Sequence, residues 1–255
     1  MCRRHVRVAF RRHFEKPQPA LVLYGGLWEP GESEKILPTQ EDEPMNGKRS
    51  RHQRGQERSS ARPADSTTGL SFFPLTPDRW DDFEALFGPR GACAGCWCMW
   101  WRLTSHEFRE GAGAVNRDKF RECVREGTVP GVLAYRDQVA IGWCAVAPRE
   151  KYRRLAFSRI LQPIDDTPVW AITCLYVAKG NRRRGLTRRL IEAGCELAAN
   201  FSASVVEAYP RISPDKPSNP LAFYTCTEGS FTRAGFHVVA RPTPVRRIMR
   251  KPLSR

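Results

Sequence analysis

Residues 169–177 carry no charge and no proline, are dense in β-branched and aromatic side chains, and run into a turn of three arginines and a glycine. A segment of that composition reads as a buried strand. Gly180 and Asn181 end it, and Arg182, Arg183, Arg184, Gly185, Leu186 and Thr187 follow. Leu186, Leu190, Ile191, Ala193, Leu197 and Ala198 then recur at helical spacing. The arginine turn therefore predicts a helix N-terminus. Such a terminus offers unpaired backbone N–H groups and a partial positive charge, on which a diphosphate rests if no side chain obstructs it. Gly185 supplies the bare backbone.

Two nucleotide-binding patterns use this geometry. Gly180 and Gly185 have the four-residue gap of a P-loop, with Thr187 at its Ser/Thr place, but Leu186 stands where the lysine must be, which argues against an NTPase. The same residues, Arg-x-x-Gly-x-Thr after a Leu-Tyr-Val strand, resemble the acyl-CoA-binding motif of the GNAT acetyltransferases, with Thr187 departing from the usual small final residue.

The resemblance spans about residues 70–253. A first strand over 70–75 is followed by a helix carrying Trp80, Phe83, Leu86 and Phe87, with Thr76 or Asp78 as its cap. A second helix over 116–126 has Asn116 as cap and Phe120, Cys123 and Val124 as its apolar stripe. Two short strands flank an Arg136-Asp137-Gln138 turn, residues 203–209 read as a late strand, and Phe231 to Phe236 match the family's late helix ending in Gly-Phe. The resemblance implies an α+β fold of three α/β/α layers, with a mixed, mostly antiparallel central sheet splayed at the cofactor strand. It also implies acetyl-CoA as co-substrate, held by Leu175, Tyr176, Val177, Arg182, Arg183, Arg184, Gly185, Leu186 and Thr187, and an N-acetyltransferase moving acetyl directly to the amine of a small molecule or protein in a ternary complex.

One family feature is missing. The tyrosine that protonates the departing CoA thiolate in many members lies four residues before the Gly of Gly-Phe, and Phe231 occupies that place. Tyr224 and Tyr209 are the candidates to replace it, and Thr225 or Thr227 could relay through water. Glu207, on the strand expected across the cleft, is the candidate base, because partial burial would raise its pKa; an exposed edge-strand glutamate is the alternative. Cys174 reads as a small hydrophobe rather than a nucleophile. Loss of catalysis would leave an acyl-CoA-binding or sensor module, with Phe231 in its favour.

Between the first two helices lies a segment with Cys93, Cys96, Trp97, Cys98, Trp100 and Trp101. In the resemblance this region lines the acceptor pocket, so Trp97, Trp100 and Trp101 are expected to form an apolar wall or stack on an amine. A lid packed on the core is the competing reading. A zinc site of the three cysteines with His106 or Cys123 lacks a second paired-cysteine motif, and no metal is expected. The loop over 213–220, with three prolines, is expected to help choose the acceptor.

The chain has 255 residues, 41% of them hydrophobic, enough for one core. Residues 1–68 read as a disordered basic leader, with scarcely any large apolar residue over 40–68 and a short apolar patch over 20–28, and 69–255 as the GNAT acetyltransferase domain that the resemblance implies. A formal charge of +15 attracts polyanions. Nucleic acid is therefore weighed as a partner, but it ranks below CoA, itself an anion. Nine cysteines scattered through apparent strands and helices fit reduced thiols in a cytoplasm. No stretch is long and apolar enough to span a bilayer.

Overall fold

The structure, a computed structural model, describes residues 69–212 and 225–254. The expected leader, the proline-punctuated loop over 213–220 and Tyr224 lie outside the described residues. Seven strands form one sheet: β1 (Leu70–Pro74), β2 (Gly131–Arg136), β3 (Val139–Pro148), β4 (Trp170–Val177), β5 (Val205–Ala208), β6 (His237–Thr243) and β7 (Arg246–Pro252), in the order β1-β2-β3-β4-β5-β7-β6. Every neighbouring pair is antiparallel except β4 with β5. The β2–β3 hairpin closes through Asp137 and Gln138 at φ 50° and 65°, the left-handed pair that matches the twist of the flanking strands.

Strand alternation sorts the core into two faces. Val132, Ala134, Cys144, Val146 and Ile172 face α5 (Leu186–Asn200), which brings Leu190, Ile191 and Leu197 onto them. Leu133, Tyr135, Trp143 and Ala145 face α1 (Trp80–Phe87) and α3 (Ala114–Arg125), which supply Phe83, Phe87, Phe120 and Val124. This is the three-layer α+β arrangement expected, with each fully buried Leu, Ile or Phe contributing roughly 1.5–3 kcal/mol. The helix α5 lies close on the sheet because Gly194 has no side chain: a Cβ there would stand 2.9 Å from Cys144 Sγ.

Two helix starts differ from expectation. Thr76 makes no capping hydrogen bond; the chain enters α1 through a 3-10 turn, Pro77–Arg79. Asn116 lies two residues inside α3, wholly buried. Its Nδ2 donates to the carbonyls of Gly95 and Phe108, both at 3.2 Å, so it clamps the cysteine-tryptophan segment to α2 (Ser105–Glu110) instead of capping its own helix.

The feature that shapes the site is the short parallel pairing. β4 meets β5 only at Trp170↔Val206, Ala171↔Glu207 and Ile172↔Ala208. Beyond Ile172, β4 continues to Val177 bonded to β3 alone. The sheet therefore opens at the C-terminal half of β4. Peptide groups alternate in direction along a strand, so every second one between Thr173 and Val177 faces this gap.

Candidate active site

The end of β4, the arginine turn and the start of α5 form one continuous piece. Arg182 Nε donates to the Val177 carbonyl at 2.9 Å, pinning the turn to the strand. Asn181 Oδ1 accepts from Arg136 Nη1 at 2.8 Å, tying the turn to β2. Gly185, the residue that caps α5, has φ 76° and ψ −4°, a left-handed conformation that costs an L-residue roughly 1–2 kcal/mol. A Cβ built there meets nothing within 4 Å. The glycine is thus required by its backbone angles, and the space in front of the helix terminus stays open.

That space is a hollow of about 520 Å³, bounded by Arg182, Arg183, Arg188, Arg189 and Arg233 around the helix start. Glu192 neutralises part of this charge, accepting from Arg188 Nε at 2.8 Å and Arg189 Nη1 at 3.2 Å. The remaining excess of guanidinium groups, aimed at a helix N-terminus, suits a polyanion. Gly185, Leu186 and Thr187 border the hollow, whereas Arg184 is exposed outside its lining.

A second cavity, of about 630 Å³, adjoins the hollow and shares Val177, Arg182 and Thr187 with it. It extends from the open side of β4 to Phe87, the segment around Cys93–Trp101, and Phe108. The segment 92–98 turns sharply, with positive φ at Ala92, Ala94, Trp97 and Cys98. This sets Trp100 and Trp101 on the cavity and sends Trp97 the other way. Trp97 is 3% exposed, stacked on Phe87 at 5.8 Å, and seated on Gly91, where a Cβ would strike its ring. Trp97 is therefore a core residue and does not line the cavity. Trp100 carries the Arg154 guanidinium 3.8 Å above its ring centroid.

Five cysteines also line the cavity, Cys93, Cys96, Cys98, Cys174 and Cys226. Cys96 Sγ donates to the Gly91 carbonyl, and Trp143 Nε1 donates to Cys98 Sγ at 2.9 Å. Burial pushes the Cys93 thiol up; burial, and then the neighbouring Cys98, pushes Cys96 up to about 12. A hydrogen bond with Cys98, then burial, lifts Cys174 well above the ordinary thiol range. These three are neutral thiols at physiological pH and poor nucleophiles. Among the described residues no group of three or more His, Cys, Asp or Glu is arranged to hold a metal. His106 instead pairs with Glu110, Nδ1 to Oε2 at 3.2 Å.

The acid–base candidates fall elsewhere. Glu207 is 1% exposed and borders neither cavity. Its Oε2 accepts from Arg250 Nε at 2.7 Å, its Oε1 accepts from the Tyr209 hydroxyl at 2.6 Å, and Arg149 Nε stands 3.7 Å from it. Arg250 also donates to Asp165 at 2.6 Å. The expectation of a carboxylate across the cleft fails on register: Glu207 lies beside Ala171, in the paired part of the β4–β5 junction, not beside the open part. Tyr209 has its hydroxyl committed to Glu207, and burial, then the Glu207 charge, holds its pKa well above the ordinary phenol. Phe231 is wholly buried and packs edge-on against Phe236 at 5.1 Å. Thr225 is buried, and Thr227 pairs with Ser230 at 3.1 Å.

Sequence reasoning missed several residues that this geometry uses. Phe108 follows a Thr104–Glu107 capping box, both halves of which form, and that Thr-x-x-Glu spelling was readable. Cys226 also borders the larger cavity. Nothing local in the sequence marks it, nor Arg149, Arg250 and Asp165, which converge on or beside Glu207 from distant segments.

The acetyltransferase (GNAT) family model matches residues 97–225, about half of the chain. The chain belongs to the GNAT acetyltransferase family. No curated protein matches it. Among solved structures, a GNAT-family acetyltransferase from Streptococcus agalactiae is 14% identical, with 74% of this chain and 98% of that one covered and a TM-score of 0.46. One from Listeria monocytogenes is 12% identical, covering 72% and 95%, with a TM-score of 0.45. The PaiA N-acetyltransferase of Thermoplasma acidophilum, crystallised with coenzyme A, is 13% identical, covering 72% and 99%, with a TM-score of 0.41. Among the described residues no helix is long and apolar enough to cross a membrane.

Proposed function

We propose that this chain is an acetyl-CoA-dependent N-acetyltransferase that moves acetyl to the amine of a small molecule or protein by direct transfer in a ternary complex. The observation that carries the reading is the adjacency of an arginine-lined hollow at a helix N-terminus and an apolar cavity, joined where β4 parts from β5. The diphosphate of CoA would occupy the hollow, bound by backbone N–H groups at the start of α5 and by the guanidinium groups of Arg182 and Arg183. The pantetheine arm would run along the unpaired edge of β4 at Leu175, Tyr176 and Val177, in the manner of an added strand.

In that pose the thioester reaches the cavity. The acceptor nitrogen attacks the carbonyl carbon, a C–N bond forms, and the C–S bond breaks. Peptide N–H groups facing the gap from β4 are suited to the oxyanion. With Glu207 and Tyr209 locked together away from both cavities, neither is assigned a proton-transfer step. Their role is to hold β5, β7 and the segment around Asp165 together, and catalysis rests on positioning.

The second reading, a domain that binds acyl-CoA without turnover, is favoured by one observation: the buried phenyl ring of Phe231 where many family members carry a proton donor. Titration with acetyl-CoA, followed by mass detection of acetylated product over an amine panel, separates the two. Binding with product supports the enzyme; binding with no product from any amine supports the sensor.

A further inference from the structure

The walls of the larger cavity restrict the chemistry of its acceptor. None of its described lining residues is Asp, Glu, His or Lys. The charged residue on its described lining is a cation, Arg182, where it meets the hollow, and the Arg154 guanidinium stands 3.8 Å from the ring centroid of Trp100. Most of the rest of the wall is aromatic or sulfur-bearing, with Phe87, Trp100, Trp101, Phe108 and Tyr176 around it beside small or aliphatic residues such as Ala92 and Leu175. Phe108 meets Trp100 edge-on at 5.0 Å, and Phe87 meets Tyr176 at 5.5 Å. An alkylammonium ion entering this space would be desolvated with no carboxylate among the described lining residues to pair with, and it would approach the Arg182 guanidinium. The Cys93, Cys96 and Cys174 thiols, their pKa values raised, are protonated and cannot take its proton.

We infer that the acceptor is an aromatic amine whose nitrogen is attached directly to the ring and is therefore neutral at physiological pH, its ring lying among Trp100, Phe108 and Phe87. This deepens the proposed function and rests on it. The class fits the proton balance as well as the wall. An alkylammonium must lose one proton before it can attack and a second as the amide forms, which calls for a base. A neutral ring amine attacks as it stands: its nitrogen bonds to the acetyl carbon, the C–S bond breaks, and the single proton released by nitrogen passes to the departing CoA sulfur. That exchange needs no carboxylate base on the cavity wall and no phenol at the position of Phe231. The flat ring also matches a wall of aromatic faces and edges, where stacked or edge-on pairs prefer centroid separations of about 4.5–7 Å.

The test uses the full-length protein with acetyl-CoA and three acceptors: aniline, benzylamine and spermidine, with product amide measured by mass spectrometry. Acetyl-CoA binding is measured separately by titration calorimetry. Only roughly one alkylamine molecule in 2,500 is neutral at pH 7, taking a lysine-like pKa near 10.4. Aniline is expected to be acetylated at least tenfold more efficiently than benzylamine at pH 7, with a kcat/KM that is level from pH 6.5 to 9, and spermidine is expected to give no product. Preference for benzylamine or spermidine, a kcat/KM for aniline that climbs tenfold per pH unit, or bound acetyl-CoA with no product from aniline would overturn the inference while leaving the cofactor reading intact. Failure of acetyl-CoA to bind would overturn both.

Discussion

Replacing Gly185 separates folding from cofactor binding, because its two properties have different costs. Its φ of 76° makes any L-residue strained, and nothing within 4 Å would clash with a new Cβ. Gly185→Ala and Gly185→Glu should therefore share a stability loss of roughly 1–2 kcal/mol, which for a domain of this size lowers Tm by roughly 2–8 °C. They should part company in binding. A carboxylate placed about 5 Å from a bound phosphate opposes it by about 3 kcal/mol per unit charge at an effective dielectric of about 20. Because this turn is exposed, solvent and salt reduce that figure, and a further loss of about 10- to 100-fold in acetyl-CoA affinity for Glu over Ala is expected. Differential scanning calorimetry supplies Tm, and isothermal titration at low and moderate salt supplies Kd. The gap between the two variants should narrow as salt rises. Equal affinities for Ala and Glu, with both variants folded, would refute the placement of the diphosphate at this terminus.

Other expectations follow from the same geometry. Glu207→Gln should lower stability by about 3–5 kcal/mol in urea unfolding, since Arg250 and Arg149 would be left beside a neutral amide in a buried site; a change below 1 kcal/mol would contradict the buried ion network. The Asp165 carboxyl is held below its ordinary 3.8, at about 2, by its hydrogen bond from Arg250 and then by Thr167. A depressed carboxyl contributes stability above its unfolded pKa and loses it as pH falls through the folded one. The stability gap between the parent and Asp165→Asn should therefore close between pH 3.8 and about 2, and a gap independent of pH in that window would count against the pair. Asn116→Ala removes both Nδ2 bonds that clamp the cysteine-tryptophan segment. It should cost roughly 1–3 kcal/mol and raise the acceptor KM more than the acetyl-CoA Kd; equal effects on both would deny it a role in shaping the acceptor wall.

The parts of this molecule that were legible in sequence are those set by neighbours along the chain. The apolar run into β4, the arginine turn and the stripe of α5 are local, and the β2–β3 hairpin follows from two apolar runs around a short polar turn. What the sequence concealed depends on register and on long-range approach. Period-two alternation on β5 marks Glu207 as one of a face, but only the pairing shows that Glu207 stands beside Ala171, where the strands are still joined. Three tryptophans within five residues look equivalent, yet the positive φ at Trp97 and Cys98 sends Trp97 to the core and leaves Trp100 and Trp101 at the cavity. Asn116 reads as a cap by residue type, whereas its value lies in carbonyls 21 and 8 positions away.

The most direct test of the account is titration of the full-length protein with acetyl-CoA and, separately, with ATP. Both carry an adenine nucleotide with a polyphosphate, but only acetyl-CoA has a pantetheine arm to lie along the open edge of β4. Acetyl-CoA is expected to bind at least tenfold more tightly than ATP, with the difference abolished for CoA analogues lacking pantetheine. Equal affinity for the two ligands, or no heat with acetyl-CoA, would contradict the assignment of the β4 gap as the cofactor cleft.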